Sequence, residues 1–124
     1  MSHAEEALCL HLRANRIPFE REYRFGAEAV GGAGRGLRGR LEEKGLKDWR
    51  ADFALIEHNL LIEVEGGAWT GGRHTRGKGF SDDLIKYDAA MRLGWTVYRC
   101  DPEMIRSGKA INTILQLVRL RSAA

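Results

Sequence analysis

Asp52, Glu63 and Glu65 are the side chains of this chain best spaced to do chemistry, because they sit in two apolar runs separated by a short polar stretch. The runs Ala51 to Ile56 and Leu60 to Val64 are rich in Phe, Ile, Leu and Val, and Glu57-His58-Asn59 between them has turn composition, which predicts a β-hairpin. A turn at Glu57-His58 sets Asp52 opposite Glu63 and Arg50 opposite Glu65. Side chains alternate along a strand, so the three acids share one face, and Ala51, Phe53, Leu55, Leu60, Ile62 and Val64 share the other. Opposed side chains have Cβ atoms about 4.5–5.5 Å apart, close enough for two carboxylates to grip one hard cation. Mg²⁺, with Mn²⁺ able to replace it, suits oxygen ligands of this kind. The plain alternative is a row of solvated strand residues. Ala54, Ile56 and Leu61 on the acid face are apolar, however, so that face is expected to be covered, and covered acids need a compensating charge. A metal-dependent hydrolytic site, most simply one that cuts phosphodiesters, is the expectation.

The elements that would hold this hairpin read as α/β. Ser2 predicts a helix N-cap, and the helix runs to about Asn15 with Leu8 and Leu12 on one stripe. Glu5 lies one turn before Leu8, either as a capping-box partner of Ser2 or as a further acid for the site. Phe19 to Phe25 alternates as a strand, and Ser81 predicts the cap of a helix carrying Asp82 and Asp83 in its first turn and stopping at Gly94. Trp95 to Cys100 is a fourth strand, expected parallel to Leu60–Val64 because a helix joins them. Asp101-Pro102 starts a short helix, and Ile111, Ile114, Leu115 and Val118 give the stripe of a C-terminal one. The order is αβββαβ with a mixed four-stranded sheet and C-terminal helices. The 124 residues are expected to form one domain, 1–124, interrupted by a Gly/Arg-rich insertion at about 26–48 and a basic Gly-rich loop at 66–80.

Net charge is only +3, yet the basic residues cluster. Arg35, Arg38 and Arg40 fall in the insertion, and Arg73, His74, Arg76 and Lys78 follow the acids in the second loop. Cationic loops beside an acidic metal site suit a polyanion, with DNA the expected partner, although each loop also reads as solvated surface. Trp69 could stack on a base or anchor its loop, and His74 could fold back as base or phosphate ligand. Lys86 shares a helical stripe with Ala90 and Leu93 and is expected to face the sheet. No apolar run is long enough for a membrane span, the N-terminus lacks signal-peptide character, and Cys9 and Cys100 have no ligand spacing, so a cytoplasmic protein with reduced, buried thiols is expected. Ile111, Leu115, Leu117 and Val118 could build a homodimer.

Arg50-Ala-Asp-Phe, Ile62-Glu-Val-Glu-Gly-Gly, and Asp83-Leu-Ile-Lys-Tyr through Leu93-Gly-Trp-Thr-Val-Tyr-Arg99 resemble the PD-(D/E)XK nuclease superfamily. Within it they look most like the small phage and very-short-patch-repair-like endonucleases. The resemblance implies a restriction-endonuclease-like core, with Asp52 as the motif aspartate, Glu63 as the second acid and Glu5 as the helix-one acid some members use. Ala51 replaces the motif proline, and Glu65 stands where the motif has lysine. Glu65 would then be a metal ligand or general base, and the cationic role would pass to Lys86 or His74. The function so implied is a metal-dependent DNA endonuclease, structure-selective for branched, nicked or mismatched DNA, in phage or bacterial repair and recombination. The rivals are a catalytically inactive nucleic-acid-binding module on the same scaffold and a phosphoesterase acting on nucleotides or RNA.

Overall fold

A computed structural model of the chain describes residues 2–66 and 78–122. In chain order its elements are α1 (His3–Ala14), β1 (Glu20–Tyr23), α2 (Phe25–Glu28), α3 (Leu37–Lys44), β2 (Ala51–Leu55), a 3₁₀ turn (Ile56–His58), β3 (Leu60–Val64), α4 (Lys78–Arg92), β4 (Thr96–Cys100), α5 (Pro102–Arg106) and α6 (Lys109–Ser122). The strands form one sheet in the order β1-β2-β3-β4. β1 and β2 are antiparallel, as are β2 and β3, while β3 and β4 run parallel. The expected mixed sheet and αβββαβ order are present, and the hairpin has the expected register, with Phe53 opposite Ile62 and Leu55 opposite Leu60.

Helices cover both sides of the sheet, which is why the central strands are apolar on both faces. Leu8 and Leu12 of α1, Ile105 of α5 and Ile114 of α6 pack with Phe53, Leu55, Leu60 and Ile62 on one side. Ala90 of α4 closes the other side over Ala54 and Leu61, with Trp95 and Val97 at its margin. Ile111, Leu115, Leu117 and Val118, the stripe expected to pair two copies, pack against the first of these clusters within the chain. Cys9 and Cys100 are buried and unpaired by disulfide, consistent with their apolar positions.

Element ends differ from expectation for local reasons. The hairpin closes through the 3₁₀ turn and Asn59 at φ 51°, a left-handed conformation that asparagine tolerates, so the loop is wider than Glu57-His58 alone. β1 ends at Tyr23 because Phe25 turns inward into α2, stacking on Trp49 with ring centroids 6.1 Å apart. α4 begins at Lys78, not after Ser81, which places Asp82 and Asp83 beyond its first turn.

The 26–48 insertion is closed at its neck. Arg24 forms an ion pair with Asp48, Gly26 N–H donates to the Trp49 carbonyl at 3.3 Å, and α3 sits between Gly36 and Gly45 with Leu41 buried. A Cβ added at Gly26 would lie 2.0 Å from the Lys47 carbonyl oxygen, so only glycine lets the two ends approach. Gly26→Ala is expected to cost at least about 1–3 kcal/mol, the range for forced overpacking, read as a lower urea midpoint at unchanged slope.

Candidate active site

The β2–β3 ladder ends at the two facing acids. Beyond the Phe53–Ile62 pair, side chains take over from the backbone: Asp52 N–H donates to Glu63 Oε2 at 3.0 Å, and Val64 N–H donates to Asp52 Oδ2 at 2.7 Å. Two carboxylates thus cross between the strands at the open end of the hairpin. Satisfying strand amides fixes both acids without consuming all their oxygens.

Glu63 is the buried charged side chain among the described residues, with 7% of its surface exposed. Its Oε1 accepts from Lys86 Nζ and from the Tyr87 hydroxyl at 3.2 Å, both carried by α4. A buried carboxylate is stable only when paired and hydrogen-bonded, and this one has a cation, a phenol and a backbone amide. Desolvation, reinforced by the charges of Glu63 and Glu65, keeps Tyr87 strongly in its neutral, donating form.

On the other side of Asp52 lie two further acids. Carboxylate oxygens of Glu5, Glu22 and Asp52 fall within 4.8 Å of one another. Glu5 comes from the first turn of α1, where its N–H also donates to Ser2 Oγ at 3.1 Å, so one residue is both the cap partner and a member of the acidic cluster. Glu22 comes from β1 at φ 48°, and the pairing passes from Arg21–Phe53 to Tyr23–Ala51, leaving Glu22 across from Asp52. A non-glycine residue in that conformation stores strain of order 1–3 kcal/mol, which the surrounding sheet must hold. Arg21 anchors the group, with its guanidinium on Glu5 and over the Phe53 ring at 4.5 Å, and with Nε donating to the Asp52 carbonyl at 3.3 Å. Three carboxylates against one guanidinium leave two net negative charges, the balance a divalent cation would neutralise. The donor set is all hard oxygen and matches Mg²⁺ or Mn²⁺.

Burial drives the Asp52 carboxyl up to about 6; the Val64 amide opposes this, while the charges of Glu63, Glu5 and Glu22 add to it. The sequence pointed to Asp52, Glu63, Glu65, Lys86 and His74 as site residues, and to Glu5 as a capping-box partner or a further site acid; the structure links Glu5 to Asp52, Asp52 to Glu63 and Glu63 to Lys86. Sequence reasoning missed Glu22 and Tyr87. Tyr87 adjoins Lys86 in the chain, a signal available in the sequence, but Glu22 depends on the β1–β2 register, which the intervening insertion hides.

Glu65 is held apart from this group. Its carboxylate receives Arg99 Nη2 at 2.9 Å and Nε at 3.2 Å, while its N–H continues the ladder to the Cys100 carbonyl at 2.7 Å. Of the basic residues in the insertion, Arg40 donates to the carbonyls of Val30, Gly32 and Arg35 and so braces the loop, Arg38 pairs with Glu42 at 3.3 Å, and Arg35 is exposed. Trp69, Arg73, His74 and Arg76, and the side chain of Lys78, lie outside the described residues.

No family model matches this chain, and no curated protein matches it in sequence. Among solved structures there is a clear likeness. The chain shares its fold with the catalytic domain of the homing endonuclease I-Bth0305I. The two superpose with a TM-score of 0.63 over 98% of each chain at 16% sequence identity. At that identity the likeness is one of fold. No described helix is long and apolar enough to cross a membrane.

The raised Asp52 value fixes the sign of a pH effect in the metal-free protein. A carboxylate of ordinary value near 3.9 unfolded and about 6 folded favours the fold when protonated. Stability is therefore expected to fall as pH rises from about 4 through 6 and to level off above. Asp52→Asn, which keeps a carbonyl for the Val64 amide, should raise Tm by a few degrees at neutral pH in EDTA and leave it unchanged near pH 4. Scanning calorimetry across that range checks this, and an equal shift at both ends would contradict it.

Proposed function

We propose that this protein is a metal-dependent DNA endonuclease that hydrolyses phosphodiester bonds, of the PD-(D/E)XK type in the very-short-patch-repair-like branch. The observation that carries the proposal is the meeting of Glu5, Glu22 and Asp52 on one side of a carboxylate pair whose other member, Glu63, is held by Lys86. The fold shared with an endonuclease catalytic domain supports it.

Asp52, with Glu5 and Glu22, would hold Mg²⁺, for which Mn²⁺ would substitute. The ion when bound supplies a Lewis acid and lowers the pKa of water at the scissile phosphate. Asp52 must be ionised to ligate, so metal affinity rises as pH passes about 6. Glu63 orients Lys86, whose ammonium stands at the site to offset charge building on the phosphate. Tyr87 holds the same Glu63 oxygen and so keeps that pair in one geometry. His74 is assigned as a base or phosphate ligand, Arg73, Arg76 and Lys78 as backbone contacts, and Trp69 as a stacking residue; Lys78 is the first residue of α4, and the others belong to the sequence between β3 and α4. The substrate proposed is branched, nicked or mismatched DNA.

Cleavage of labelled linear, nicked, single-stranded and four-way-junction DNA in Mg²⁺, Mn²⁺ or EDTA tests the proposal. Metal-dependent cutting is expected, with Asp52→Asn and Lys86→Met each losing roughly 10²–10³ in kcat, the range for deleting one electrostatic stabiliser. Glu22→Gln should instead move the Mg²⁺ dependence to higher concentration, with DNA binding in EDTA intact. Tight DNA binding without cutting in any metal would make the protein a binding module and refute the enzymatic assignment.

A further inference from the structure

Arg99 is the strongest unassigned feature of the site. The parallel register sets Arg99 beside Glu63, at the end of the sheet where the acids gather. Its guanidinium carbon stands 4.7 Å from the centre of the Tyr87 ring, and its Nε and Nη2 edge grips Glu65. The Tyr87 hydroxyl is itself fixed on Glu63 Oε1, so the ring is a positioned platform.

Three basic side chains of the described site have different commitments. Lys86 serves the interior, paired with Glu63 at 18% and 9% side-chain exposure. Arg21 is paired with Glu5 at 21% and 18% and also serves the Asp52 carbonyl. The Arg99–Glu65 pair is the most open of the three, at 44% and 35% side-chain exposure, where solvent can reach both partners and screens their attraction. A guanidinium fork grips phosphate with the same two-point geometry it uses on carboxylate. Stacking on Tyr87 holds that fork in place after Glu65 lets go.

We propose that Arg99 is a contact to the phosphodiester backbone of the substrate, that Glu65 occupies its fork in the free protein, and that a substrate phosphate displaces Glu65. The proposal rests on the nuclease assignment above and names a residue of that same site. It requires the two partners to act in opposite directions: removing Arg99 removes a phosphate contact, while neutralising Glu65 removes a competitor and a repulsive charge.

Fluorescence anisotropy of labelled duplex and junction DNA, with Ca²⁺ in place of Mg²⁺ and over a salt series, reads this directly. Arg99→Ala is expected to weaken binding roughly five- to tenfold at about 0.1 M salt and to lower the salt slope by about one. Glu65→Gln should tighten binding by roughly two- to fivefold, since a part-exposed carboxylate no longer competes for the fork. Arg99→Lys should fall between wild type and Arg99→Ala, and the double variant should follow Arg99→Ala. Circular dichroism of each variant establishes that it folds. Arg99→Ala binding like wild type with an unchanged slope, or Glu65→Gln binding more weakly than wild type, overturns the proposal while leaving the nuclease assignment standing. A wild-type protein that binds none of these DNAs removes both.

Discussion

Compensation of the Glu63 carboxylate is the constraint on which the site depends. Removing one partner of a buried ion pair leaves a charge in low dielectric at a cost of about 3–5 kcal/mol. Glu63, at 7% exposure, therefore ties α4 to the sheet through Lys86 and Tyr87, and it ties β3 to β2 through the Asp52 amide. Asp52 completes the bond in the other direction by accepting from Val64. A hairpin end that would ordinarily fray is held open by two side chains, and its strand amides are satisfied without closing the gap. The catalytic assignment and the stability of this end of the sheet are the same interaction seen twice.

The remaining charge follows from that arrangement. Since Lys86 is committed to Glu63, it does little for Asp52, whose carboxyl stays half-buried, raised to about 6, and beside Glu5 and Glu22. Arg21 offsets one of those charges and no more. The site is thus unbalanced toward negative while Glu5 is held by the Ser2 N-cap and by Arg21, Asp52 by the Val64 amide, and Glu22 sits in a left-handed backbone conformation. Preorganised excess charge of this kind lowers the cost of gathering ligands around a cation and charges the cost to folding. Glu65 would add a fourth negative charge to the same place, and the Arg99 fork on the Tyr87 platform keeps it outside.

Much of the framework was legible because it rests on local rules. The hairpin register follows from a short turn and from alternation, since a one-residue slip would have turned Phe53 and Ile62 to the wrong side. The parallel fourth strand follows from the helix that precedes it, and the Ser2 cap and the Asp101-Pro102 start are written in residue type. Lys86 was placed at the sheet by helical spacing with Ala90, which is fully buried. Less was legible where ends are set by neighbours. Phe25 leaves its strand to stack on Trp49, and α4 starts a turn before the serine that looked like its cap.

By itself the sequence determined the α/β order and the hairpin with Asp52 facing Glu63, because short-range periodicity and turn length decide both. Only the tertiary structure decided how the acids divide. Glu22 joins Glu5 and Asp52 because β1 pairs with β2 across a long insertion whose length leaves the register open. Glu65 pairs with Arg99 because β4 lies beside β3, and Glu63 pairs with Lys86 because α4 crosses back over the sheet. Contacts between residues far apart in the chain depend on how sheets twist and helices pack, and no local pattern encodes which of several nearby acids each cation will reach.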